Sequence, residues 1–197
     1  PKSRRMTMSW TCISLILWDV IFHKGKSWAF VSKKEEDAAD LVARAKFIYD
    51  HIPEEKIPRA LLPQLDGGKM TKKPPAMHFS GIHSKIQGFP MGADQLRQFT
   101  FSGILGDECA FWEVAQKFYS SAKPTLDGGG KMILISSRAP GFFKKIVFDQ
   151  LDNPTNSFPE IPPGEVKKPL EGVEVWRNPK NKFLIVEVHY TADPEKR

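Results

Sequence analysis

The chain has 197 residues, 41% hydrophobic and 26% charged, which suits one domain with a sizeable core and excludes a disordered polyelectrolyte. A formal net charge of +6 favours polyanionic partners, and the apolar runs are too short to span a bilayer. The two cysteines, Cys12 and Cys109, sit in apolar settings and lack disulfide-framework or zinc-site spacing relative to each other and to the five histidines; they read as buried thiols of a reducing compartment.

The opening Lys2-Ser3-Arg4-Arg5-Met6-Thr7-Met8-Ser9 has the length of the phosphate loop G-x-x-x-x-G-K-[ST]. Such a loop wraps phosphates in backbone N–H groups and then opens a helix whose N-terminus favours anions. Aligned on Ser9, Met8 takes the place of the lysine, Thr7 that of the second glycine and Lys2 that of the first. Ser9 keeps a hydroxyl for Mg²⁺. Lys2, Arg4 and Arg5 are the nearby cations, and the long stem of Lys2 can fold back over phosphates. The bland alternative is a basic, solvated terminus before an ordinary helix. A phosphate-loop domain places a strand before its loop, so a strand is expected upstream of residue 1.

Residues 11–22 are apolar nearly all round, as in a helix buried against a sheet. Lys24-Gly25-Lys26 ends it, and Ser27 to Val31 reads as a strand. Ser32 and Glu35 form the S-x-x-E capping-box pattern, predicting a helix through Ile52 with Ala38, Leu41, Val42, Ala45, Ile48 and Tyr49 on its apolar face. Pro53 to Pro75 reads as loop. Met77 to Ser80 and Ser84 to Gly88 read as short strands around a Gly81-Ile82-His83 turn.

Phe99 to Asp107 predicts a strand that ends in two adjacent carboxylates, Asp107 and Glu108. The pair suits one carboxylate on a metal at the strand's end and a second turned toward a γ-phosphate to activate water. An exposed turn is the rival reading. A helix is predicted over 111–122. Lys131 to Ser137 is an apolar strand with the profile of a central parallel strand, ending in Ser136 and Ser137. Residues 141–151 read as helix and 153–169 as proline-rich loop. Val173 to Arg177 and Phe183 to Tyr190 form a late hairpin. The alternation of helix and strand predicts an α/β domain with a mainly parallel sheet flanked by helices.

Together, K-S-R-R-M-T-M-S, Q-G-F-P-M-G-A-D-Q-L-R-Q, I-L-G-D-E-C-A-F-W, M-I-L-I-S-S-R-A-P-G and H-Y-T-A-D-P resemble the ATPase domain of the large terminase subunits that package DNA in tailed bacteriophages. The resemblance runs over nearly the whole chain in the family's order. It implies a P-loop NTPase fold of the RecA/helicase-like, additional-strand class, hydrolysing ATP with Mg²⁺. Some members carry the loop lysine displaced toward the loop's start, where Lys2 lies. Thr7 and Met8 depart from the usual glycine and lysine.

By this resemblance residues 2–9 bind nucleotide, with Lys2 on the phosphates, and Ser9 and Asp107 hold Mg²⁺. Glu108 orients or deprotonates the attacking water. Ser136 and Ser137 match the coupling motif. Arg97, ten residues before Asp107, is the candidate arginine finger acting on a neighbouring subunit's ATP, with Arg138 a second candidate for phosphate or interface contact. Residues 1–197 form a single ATPase domain, and a nuclease domain is expected after residue 197. The implied partners are double-stranded DNA, the portal protein, a small terminase subunit and further copies in a ring, at the procapsid portal in the host cytoplasm. Lysine pairs at 33–34, 72–73, 144–145 and 167–168 offer charge for a DNA backbone. The alternatives are a superfamily 2 helicase-like motor, or a non-hydrolysing DNA-binding or assembly module with a degenerate loop.

Overall fold

The structure, a computed structural model, describes residues 7–92, 96, 99–148, 166–178 and 181–196. In chain order the elements are α1 (Met8–Phe22), β1 (Ser27–Ser32), α2 (Glu35–Asp50), β2 (Thr71–Lys72), β3 (Pro75–Phe79), β4 (Ser84–Pro90), β5 (Gly103–Asp107), α3 (Ala115–Asp127), β6 (Lys131–Ile135), α4 (Phe142–Phe148), β7 (Lys167–Leu170), β8 (Val173–Arg177) and β9 (Leu184–Val188). The first six strands form one sheet in the order β2-β3-β4-β1-β5-β6, and the last three an antiparallel sheet in the order β7-β8-β9. The pairs β4/β1, β1/β5 and β5/β6 are parallel, whereas β2 and β3 add antiparallel at one edge.

Both faces of the parallel core are covered, which explains the unbroken apolar runs of its strands. On one face Trp28, Phe30, Leu105 and Ile135 pack against α1 and α2 through Ile13, Ile16, Leu17, Leu41 and Val42. On the other, Ala29, Val31 and Ile104 meet α3 and α4 through Phe118, Phe143 and Val147. Successive residues of β1 thus feed opposite cores, the period-two alternation of a strand.

β5 is glycine-rich and a poor strand former by composition, yet it lies between β1 and β6. Its glycines make room for indoles. A Cβ on Gly103 would lie 2.5–2.7 Å from the Trp28 ring, and one on Gly106 would lie 2.7 Å from Cys109 Sγ and 2.9 Å from the Trp112 ring. Trp28 is anchored in turn by donating its indole N–H to buried Asp19 at 2.9 Å.

Several expectations need correction. Ser32 does not cap α2: it is the last residue of β1, its carbonyl accepts the Met91 N–H at 2.7 Å, and the N-cap is Lys34 without a side-chain cap bond. Here ladder pairing outcompetes the local capping bond, and Glu35, Glu36 and Asp37 in the first turn answer the helix dipole instead. Residues 109–111 form a 3-10 turn, and α3 starts only at Ala115. β6 is an edge rather than a central strand among the described residues. α1 is not buried all round either; Leu15 and Trp18 are 57% and 52% exposed. Finally, the hairpin carries a third strand, β7, within the stretch read as proline-rich loop. Pro169 is tolerated there because β7 is an edge strand, where a missing N–H costs little.

Candidate active site at the end of β5

Asp107 closes β5 at the carboxyl end of the parallel sheet and is buried. Ser9, in the first turn of α1, donates its hydroxyl to this carboxylate, with Oγ 3.1 Å from Oδ1 and 3.0 Å from Oδ2. Two residues far apart in sequence therefore meet at the point where a helix N-terminus faces a strand end. The Glu108 N–H also donates to Asp107 Oδ1, at 3.1 Å.

Trp112 fixes the same turn from beneath by donating its indole N–H to the Asp107 carbonyl at 3.0 Å. It packs edge-on to Phe118, with ring centroids 4.8 Å apart. The signal for this contact available in the sequence is Gly106, which leaves space for the indole. Ser136, fully buried at the end of β6, accepts the Ala110 N–H at 3.0 Å. The first hydroxyl after β6 is thereby tied to the turn that carries Glu108.

Two non-glycine residues flank this junction in the left-handed region: Thr7 with φ 52° and Glu108 with φ 55°. Each such conformation costs on the order of 1–3 kcal/mol and gathers at functional sites. Thr7 turns the chain into α1, and its carbonyl accepts the Thr11 N–H at 3.1 Å. Glu108 lies half-buried at the head of the 3-10 turn. Cys109 beside it is buried, and burial pushes its thiol pKa well above the ordinary value.

Of the residues singled out in the sequence, the structure thus brings Ser9, Asp107, Glu108 and Ser136 to one end of the sheet. Ser137 follows half-buried. Met8 opens α1 and packs partly buried against the core. Arg138 pairs with buried Glu187 on β9. Lys2, Ser3, Arg4, Arg5, Met6 and Arg97 lie outside the described residues. Lys144 is buried, so one lysine of that pair is withdrawn from the surface.

A serine hydroxyl and a carboxylate are the hard oxygen ligands Mg²⁺ prefers, and that ion fills its remaining positions with water and phosphate oxygens. Among the described residues no group of three or more His, Cys, Asp or Glu could hold a metal on its own. The donor set fits an ion that arrives with its nucleotide.

The sequence matches no family model and no curated protein. Solved structures do match. The ATPase domain of the large terminase of Thermus phage P74-26 superposes with a TM-score of 0.51 at 10% identity, over 73% of this chain and 61% of that one. The large terminase of bacteriophage HK97 gives 0.51 at 11% identity, over 70% of this chain and 28% of that one. The fold is that of a large-terminase ATPase domain. On the terminase fold Ser9, Asp107, Glu108 and Ser136 stand together at the carboxyl edge of the parallel strands, the general location of ligand sites in open α/β sheets. The chain spans less than two thirds of each of these two solved chains.

Proposed function

We propose that this chain is the ATP-hydrolysing motor domain of a viral large terminase subunit, driving double-stranded DNA into a procapsid. The observation that carries the reading is the Ser9 hydroxyl on the Asp107 carboxylate, with Glu108 next in the chain. A hydroxyl at the start of a helix and a carboxylate at the end of a parallel strand are what a phosphate-binding domain needs to share one Mg²⁺. The ion, when bound, neutralises charge on the β- and γ-phosphates. Asp107 is kept in place by the backbone N–H of Glu108 and by the bond from Trp112 to its carbonyl. Glu108 accepts a proton from the water that attacks the γ-phosphorus as the bond to the bridging oxygen breaks.

Lys2 supplies the cation that Met8 cannot, and residues 2–9 line the phosphates. Arg97 serves a neighbouring subunit's nucleotide. Ser136, already bonded to the turn behind Glu108, carries a change at that turn into β6, with Ser137 beside it. The portal protein, a small terminase subunit and further copies in a ring are the partners this role requires, in the host cytoplasm. The net charge of +6 suits a motor that grips DNA by its phosphates rather than its bases. The likeness to terminase folds supports this reading over a helicase or a non-hydrolysing module.

Titration with a fluorescent ATP analogue tests the site. Binding should require Mg²⁺ and weaken by at least about tenfold, or 1.4 kcal/mol, in Ser9→Ala. Equal affinity of wild type and Ser9→Ala, with or without Mg²⁺, would refute it.

A further inference from the structure

Four parallel strands begin side by side at the end of the sheet remote from Asp107. β4, β1, β5 and β6 are neighbours in that order, and Lys85, Lys26 and Lys131 stand at the starts of β4, β1 and β6. Lys24 lies just ahead of Lys26 in the turn that joins α1 to β1. With neighbouring strands about 4.8 Å apart, the row from β4 to β6 is about 14 Å long.

Backbone bonds stitch these starts into one platform. The Gly25 N–H donates to the Ile82 carbonyl at 2.8 Å, and the Lys85 N–H to the Lys26 carbonyl at 2.7 Å. The Ser102 N–H donates to the Ser27 carbonyl at 2.7 Å, and the Lys131 N–H to the Ser102 carbonyl at 2.9 Å. Little backbone freedom is left to lose when a partner docks. The lysines also stand among glycines that leave room for close approach. Gly25 separates Lys24 from Lys26, Gly128-Gly129-Gly130 leads into Lys131, and Gly81 lies in the turn before β4. A Cβ at Gly25, Gly81 or Gly129 would meet nothing within 4 Å.

The charge of this row is not spent inside the protein. Lys24 is exposed, and the Lys131 side chain is 65% exposed although its Nζ lies 3.9 Å from Asp19. Two carboxylates beside the row are engaged: buried Asp19 accepts the Trp28 indole N–H at 2.9 Å, and Asp66 accepts the Ser80 N–H at 3.1 Å. The carboxyl ends of α1 and α3 point this way too, and together they present roughly one negative charge. Four lysines exceed what two helix ends require.

We propose that the amino end of the parallel sheet holds the sugar-phosphate backbone of double-stranded DNA through Lys24, Lys26, Lys85 and Lys131. The partner is taken from the proposed function, on which this inference rests. A straight, rigid row of cations suits evenly spaced phosphates; each DNA strand carries one per about 3.4 Å of axis, so about 14 Å of lysines meets about four of them. The contact reads charge and not bases. β6 joins this surface to the catalytic turn: it starts at Lys131, and Ser136 after it accepts the Ala110 N–H behind Glu108. At about 3.3 Å per residue the two ends lie about 17 Å apart, so DNA and nucleotide are held at the same time on opposite ends of the sheet.

Fluorescence anisotropy of a labelled duplex of arbitrary sequence, titrated with the purified protein between about 50 and 200 mM salt, tests it. Each phosphate contact contributes about 0.9 to the slope of log affinity on log salt. Lys24→Ala/Lys131→Ala should therefore flatten the slope by about 1.8 and weaken binding at least about tenfold at low salt, while Lys24→Arg/Lys131→Arg should keep both. The charge-matched Arg44→Ala/Lys117→Ala, on α2 and α3, should leave the slope as in the wild type. Equal slopes in Lys24→Ala/Lys131→Ala and wild type, or equal flattening in the two alanine pairs, would overturn the proposal. A wild-type protein that binds phosphatidylserine vesicles but no duplex would overturn it as well. The titration contains no nucleotide: failure to bind Mg²⁺-ATP would count against the functional reading, whereas duplex binding through these lysines would stand.

Discussion

Replacing Gly106 by alanine puts one methyl group where the site is tightest. Its Cβ would stand 2.7 Å from Cys109 Sγ, 2.9 Å from the Trp112 ring and 3.0 Å from a Leu134 methyl, all closer than van der Waals contact allows. Cys109 and Trp112 are no loose side-chain ends: both are buried, and Trp112 is tied to the Asp107 carbonyl. Overpacking of this kind costs about 1–3 kcal/mol. For a chain of this length each kcal/mol lowers Tm by about 2–4 °C, so Gly106→Ala should lose about 2–12 °C in thermal unfolding followed by circular dichroism. Because the methyl pushes on the turn that carries Asp107 and Glu108, nucleotide affinity should fall as well. Cys109→Ala removes the nearest clash, so the double variant should be more stable than the sum of the single effects, by about 0.5–3 kcal/mol. Gly81→Ala, where nothing lies within 4 Å, serves as the control and should be close to neutral. A Gly106→Ala protein as stable as wild type, or strict additivity with Cys109→Ala, would refute the packing argument.

Further outcomes follow from the site. Glu108→Gln should retain Mg²⁺-ATP binding in a titration while phosphate release falls to background, because the amide keeps the shape of the side chain and loses its basicity. Lys2→Ala should weaken binding or turnover by at least about tenfold, with Met8→Ala milder; the reverse ranking would mean that the loop is misaligned. Arg97→Ala should remove most of the rate gained on assembly, where a supplied arginine is worth roughly 10³–10⁵. Mixed rings of Arg97→Ala and Glu108→Gln subunits should recover activity if the arginine acts in trans. In native protein at a pH of about 8, iodoacetamide should modify half-buried Cys12 before Cys109, whose burial keeps it a neutral thiol; mass spectrometry reads the order.

The sequence made legible those features whose cause is local. The apolar run into Asp107 and Glu108, the helix after Ser9 and the strand at residue 27 come from patterning alone, and the structure places each of them. What it concealed depends on distant partners. Ser32 matches a capping residue, but pairing between β1 and β4 claims it for the ladder. The run at 131–135 reads as central because its residues are apolar on both faces; its place at the sheet's edge among the described residues is a fact of topology, not of composition. Lys168 and Pro169 suggest loop until Lys168 is seen to pair with Glu174 across the strands at 2.8 Å. At the site, Asp107 and Glu108 could be named from spacing. The Trp112 indole on the Asp107 carbonyl and the Ser136 hydroxyl on the Ala110 amide could not, because nothing in a linear pattern reveals which hydroxyl or indole meets which backbone group.

The most direct measurement of the central claim is release of inorganic phosphate from ATP by the purified protein, set beside its Ser9→Ala and Glu108→Gln variants at equal fold content. The proposed mechanism predicts Mg²⁺-dependent turnover in the wild type, stimulated on procapsids, and background rates in both variants. Turnover that persists unchanged in Glu108→Gln, or that does not depend on Mg²⁺, would contradict it.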